Sequence, residues 1–115
     1  MDCHTLFFDG VSKENLGFSR VGGVIFYPRG NKQKYFAWGI GRKTNNFAEW
    51  LALLKGLDIA STLGIKDLVV FRDSLLVIRE VRKMVKIYKS PSNKMHHIFI
   101  SLINEFNVVN FLHIL

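Results

Sequence analysis

Three carboxylates sit where acids are costly. Asp9 closes the apolar run "TLFFD" at 5–9, and Asp73 closes "LVVFRD" at 68–73. An ionised carboxyl at the end of a buried strand is unfavourable unless something compensates it. If the two strands are adjacent and parallel, both acids reach the same sheet edge, where they repel until a shared proton or a bound cation relieves them. Glu49 is the third acid. Positions 49, 52, 53, 56 and 60 share one helical stripe, and after Glu49 they are Ala52, Leu53, Gly56 and Ala60. Such small or apolar groups let a helix lie close to a sheet, with Glu49 at the start of the buried face. Hard oxygen donors of this kind suit Mg²⁺ or Mn²⁺. Two such ions about 3.5 to 4 Å apart activate water and stabilise a leaving oxygen in phosphodiester cleavage. A single strand-end Asp is as readily a turn or helix cap, so the agreement of three acids on one edge carries the metal reading.

The elements that must hold these acids follow from periodicity. Runs at about 4–9, 18–27 and 33–40 read as strands. "YPRGNKQ" between the second and third is a turn, so these two form an antiparallel hairpin, and the first three strands a meander. The stretch 45–63 has helical spacing, with Thr44 or Asn45 as N-cap and Gly64 as its stop. A fourth strand at 67–71 follows, parallel to the first and beside it because helical crossovers are right-handed. A second helix is expected from Ser74 through "LLVIREVRKM", a third over about 92–105, and "NVVNFLHIL" as a fifth strand. The reading is one α/β domain with a mixed sheet.

Bulk properties agree with a single domain. The chain has 115 residues, 49% of them hydrophobic, and no apolar run long enough to span a membrane. Its start lacks the marks of a signal peptide and it has one cysteine, Cys3, so an intracellular setting is expected, with cytoplasm and nucleus not distinguished. One cysteine also leaves too few thiolates for a structural zinc site. Sixteen Lys and Arg against nine Asp and Glu give a formal charge of +7, which points to a polyanionic partner, nucleic acid first.

"FFDGVSKENLG", "TNNFAEWLALLKGL" and "VVFRDSLLVI" resemble, in order and spacing, the three leading motifs of type 1 ribonuclease H domains. The likeness is greatest to the plant and retroelement branch associated with reverse transcriptases. It implies a ribonuclease H-like α/β fold, a five-stranded mixed sheet in the order 3-2-1-4-5 with helices packed on it. It also implies cleavage of the RNA strand of RNA/DNA hybrids with Mg²⁺ or Mn²⁺. By motif, Asp9, Glu49 and Asp73 are the catalytic metal ligands, and Asn15, Thr44, Asn45 and Asn46 bind the hybrid. Lys83, Lys86 and Lys89 fall where some members carry a basic handle.

Departures from the family pattern set further expectations. "ENLG" stands for the usual "GNPG", which puts the negative Glu14 where a glycine lets the phosphate backbone approach and Leu16 in place of a rigid proline, so weaker binding is expected. The sequence ends at "FLHIL", so residues 1–115 are expected to lack the segment that carries the family's fourth acid, weakening activity. The alternative is an inactive module that keeps the fold and binds nucleic acid or a protein. His96 and His97 are read as bland, Cys3 as inert, and Asp58 and Asp67 as surface residues. Trp38 is expected in the core and Trp50 at the border of the substrate groove. "VGGVIF" is followed by a β-run, unlike a dinucleotide fingerprint.

Overall fold

The computed structural model describes residues 3–12, 17–30, 32–72 and 94–113. Its elements are β1 (His4–Ser12), β2 (Gly17–Phe26), a 3₁₀ turn (Pro28–Gly30), β3 (Gln33–Lys43), α1 (Asn45–Thr62), β4 (Asp67–Arg72), α2 (Lys94–Ile103) and β5 (Val108–His113). The sheet has the order β3-β2-β1-β4-β5. β2 runs antiparallel to both β1 and β3, while β4 runs parallel to both β1 and β5. The meander and the parallel fourth strand expected from the sequence are therefore both present. The helix expected from Ser74 lies outside the described residues.

Two strands run further than alternation suggests. β1 continues to Ser12 because it still pairs with β2, ending at Ser12↔Ser19, although its ladder with β4 stops at Phe7↔Phe71. β3 reaches Lys43 through a bulge opposite Phe18 and Arg20, where Gly41 has φ 76°. The buried Ser19 hydroxyl secures that end. It lies 3.0 Å from the carbonyls of Gly17 and Lys43 and accepts the Lys43 N–H at 3.2 Å.

Among the described residues, one side of the sheet carries the helices. Leu6 and Phe8 of β1, Val21 and Ile25 of β2, Phe36 of β3 and Leu68 and Val70 of β4 are all buried in one cluster with α1. Full burial of Leu6, Leu53, Leu57 and Phe99 stabilises the fold by about 1.5–3 kcal/mol for each side chain. On the opposite side Phe7 stacks on Phe71 at 5.1 Å and meets the edge of Phe26 at 5.6 Å.

α1 is defined at both ends. The Thr44 Oγ1 accepts the Phe47 N–H at 3.1 Å, the expected N-cap. At the other end the Gly64 N–H donates to Ser61 and the Ile65 N–H to Ala60, with Gly64 at φ 79°, a left-handed stop after Leu63.

The closest meeting of α1 with the sheet is at Gly10. A Cβ there would lie 2.1 Å from the carbonyl carbon and oxygen of Ala48 and 2.3 Å from the nitrogen of Glu49. These are backbone atoms inside a helix, with no flexible end to yield. Gly10→Ala should therefore lower the unfolding free energy by about 3 kcal/mol, the upper end for overpacking. Urea denaturation measures it, and an unchanged midpoint would contradict so close a contact.

Candidate functional site

Asp9 lies on β1 just before Gly10, and Glu49 lies on α1 just after Ala48. The contact of Gly10 with the Ala48 carbonyl and Glu49 nitrogen thus joins the strand that carries one acid to the helix that carries the other. Asp9 is exposed while its neighbours Phe8 and Gly10 are buried. Alternation along β1 turns Asp9 away from the core that Phe8 enters. It also lies past the last parallel pair, Phe7↔Phe71, so β4 does not cover it there. Glu49 is half-buried near the start of α1, at the head of the small stripe that packs on the sheet.

Beside these acids stands the cap. Thr44 is half-buried and extended, its carbonyl accepting the Ala48 N–H at 3.0 Å. Asn45 and Asn46, the first two helical residues, are exposed. The first turn of α1 holds no acidic residue, so its N–H groups present a positive end. Two cations precede the cap, each over an aromatic ring. The Arg42 guanidinium lies 5.0 Å from the Phe18 ring centre, and the Lys43 ammonium 4.9 Å from that of Phe47. This rim can hold an anion, and the adjoining carboxylates can hold a hard cation.

Asp73, Asn15, Lys83, Lys86 and Lys89 lie outside the described residues. Among the described residues no three His, Cys, Asp or Glu side chains form a group fit for a metal ion. The two acids joined through Gly10 are Asp9 and Glu49. His4 stands at the far end of β1 from Asp9, where burial holds its imidazole below the ordinary histidine pKa. Asp58, Asp67 and His97 are exposed and Cys3 is half-buried.

The two tryptophans depart from their expected places. Trp38, expected in the core, is 44% exposed, because β3 is an edge strand with, among the described residues, no strand paired beyond it. The Lys55 ammonium lies 5.3 Å from its ring centre. Trp50, expected at the groove border, is 5% exposed and meets the Phe99 ring edge-on at 6.0 Å. One helical step from Glu49 is about 100°, which turns Trp50 away from the acid and toward α2.

Sequence reading also passes over Phe18, Arg42 and the contact made by Gly10. Gly10 had a signal, since it directly follows an acid at a strand end. Phe18 and Arg42 meet only through the β2–β3 register.

No helix among the described residues is long and apolar enough to cross a membrane. A model of the family described as reverse transcriptase-like matches residues 7–115. Ribonuclease HI of Halobacterium salinarum is 37% identical over 75 residues, covering 65% of this chain and 38% of that protein. The bifunctional protein Rv2228c of Mycobacterium tuberculosis is 31% identical over 104 residues, covering 90% of this chain and 29% of that protein. The chain thus spans well under half the length of these relatives. The N-terminal ribonuclease H domain of Rv2228c, solved as a fusion with maltose-binding protein, superposes with TM-score 0.82 at 29% identity, covering 97% of this chain and 86% of that one. LC11-RNase H1, isolated from compost, was solved in complex with an RNA/DNA hybrid; it superposes with TM-score 0.74 at 27% identity, covering 96% of this chain and 84% of that one. Given the sheet order 3-2-1-4-5, the family match over almost the whole sequence and these likenesses, the chain belongs to the reverse transcriptase-like family and is built as a ribonuclease H domain.

Proposed function

We propose that this domain cleaves the RNA strand of RNA/DNA hybrids, using divalent cations held by Asp9, Glu49 and Asp73. The observation that carries the proposal is the backbone contact of Gly10 with Ala48 and Glu49, which joins an exposed strand acid to a half-buried helix acid in a chain of this family. The name Ribonuclease HI and the hybrid bound to LC11-RNase H1 supply the substrate class.

The donor set fits hard cations. Carboxylate oxygens suit Mg²⁺ and Mn²⁺, and Asp9, exposed beyond the last β1–β4 pair, is open to an ion arriving from solvent. When bound, such ions polarise the phosphoryl oxygen and make water a competent nucleophile at neutral pH. The chain's own part is to fix positions. Asp9 is held by the β1–β2 ladder at Asp9↔Gly22, and Glu49 by a helix whose cap and packed stripe set its register. Asp73 follows directly on Arg72, the last residue of β4. Exposed Asn45 and Asn46 offer amide groups that can read a ribose 2′-hydroxyl without reading base sequence. Thr44 keeps them there, since its side chain and carbonyl both serve the helix start. The +7 charge draws the polyanion to the domain, and Lys83, Lys86 and Lys89 are assigned to that attraction.

A labelled hybrid incubated with the purified chain in Mg²⁺ or Mn²⁺ should yield cut RNA and intact DNA. Asp9→Asn and Glu49→Gln should each lower the rate by at least about 100-fold, the loss that even supporting residues of a metal site can cause. Equal cleavage by the variants would assign the activity to a contaminant and overturn the site. A hybrid neither bound nor cut by the unaltered chain would overturn the function.

Metal uptake is a separate measurement. Calorimetric titration with Mn²⁺ should give heat that Asp9→Asn abolishes while the circular dichroism spectrum stays unchanged. Identical isotherms for the two proteins would remove Asp9 from the metal site.

A further inference from the structure

Phe18 is a large apolar side chain in an unexpected place. It is 70% exposed at the start of β2, and it pairs across the hairpin with Arg42 at the end of β3. The Arg42 guanidinium lies 5.0 Å from its ring centre. A ring face attracts a guanidinium through its quadrupole, but unlike a carboxylate it accepts none of the fork of N–H donors in the conventional way. The charge is held in place and its donors stay available for a planar or tetrahedral oxyanion.

The place of the pair also matters. Arg42 stands two residues before the Thr44 cap, and Lys43, between them, is tied by its backbone to the buried Ser19 hydroxyl. The end of β3 is therefore fixed in direction where it passes into α1. Lys43 repeats the arrangement over Phe47. Two cations, each over a ring, thus stand just before the helix that offers Asn45 and Asn46.

We propose that Phe18 is a positioning residue for nucleic-acid binding: its ring holds the Arg42 guanidinium beside the start of α1, with its donors directed to a backbone phosphate of the bound strand. The proposal rests on the hybrid-binding reading above. Phe18 touches neither reacting atoms nor metal, and it acts through Arg42 by reducing the freedom the long side chain must lose on binding.

The test is a double-mutant cycle on the full chain, read as affinity for a fluorescent RNA/DNA hybrid in metal-free buffer, over a range of salt concentrations. Phe18→Ala should raise the Kd about two- to five-fold, the scale of an exposed cation–π contact. Phe18→Leu, which keeps apolar bulk without a π-face, should do the same, and Phe18→Tyr should restore the original Kd. Arg42→Ala should raise the Kd and lower the slope of log Kd against log salt by about 0.9, one phosphate contact. The double variant should bind no worse than Arg42→Ala alone. Unaltered affinity in both Phe18→Ala and Phe18→Leu, or penalties that multiply in the double variant, would overturn the positioning role and leave hybrid binding intact. Absence of hybrid binding by the unaltered chain would instead overturn the reading beneath it.

Discussion

The meeting of β1 and α1 at Gly10 is the constraint on which the site depends. A helix normally stands off a sheet by the depth of the side chains between them. Here the strand contributes a hydrogen atom at the contact, and the helix contributes its own backbone at Ala48 and Glu49. The remainder of the α1 stripe obeys the same requirement: Ala52, Gly56 and Ala60 are buried small residues, and the Leu6 side chain fills the space over Gly56. Packing of this kind fixes separation as well as energy, because filled interiors do not deform continuously. The acids on either side of the contact inherit that separation.

Much of this arrangement can be read from the residues. The small stripe of α1, the Thr44 cap, the Gly64 stop, the hairpin turn and the parallel placing of β4 all follow from local patterns, each with one physical cause. The two tryptophans could not be read so. Trp38 sits in a strand of good β-formers, and its burial depends on whether a helix covers that edge, which is a property of the whole sheet. Trp50 adjoins a candidate ligand in sequence, but adjacency on a helix means divergence in space. Of the acids, Asp9 adjoins the residue that meets the Glu49 backbone, and Asp73 lies outside the described residues.

The rim shows a second limit of local reading. Phe18 and Arg42 are distant in the chain and meet only because of a bulge in which Gly41 takes a left-handed turn. Ser19 reaches Lys43 across 24 residues to hold the same corner. Neither link has a local signature, since a serine and a phenylalanine at a strand start are unremarkable by composition. The choice of rings as partners for Arg42, Lys43 and Lys55 has an electrostatic consequence. Pairing a cation with a carboxylate cancels the field, whereas pairing it with a ring leaves the field in place. The Arg42 guanidinium, set over the Phe18 ring, keeps its field toward a polyanion in this way.

Stability and the candidate site cannot be separated in this fold. β1 is the middle strand, and it serves the core with Leu6 and Phe8 while presenting Asp9 to solvent between Phe8 and Gly10. A bulkier residue along the α1 stripe would press the helix away from β1, and Glu49 heads that stripe. Arg42 is differently placed, since it is held by the hairpin end and the Phe18 ring and not by the packed stripe. The acidic and basic halves of the proposed site stand on separate supports, the first on the strand–helix contact at Gly10 and the second on the bulged corner at Ser19, and they are joined where Thr44 carries β3 into α1.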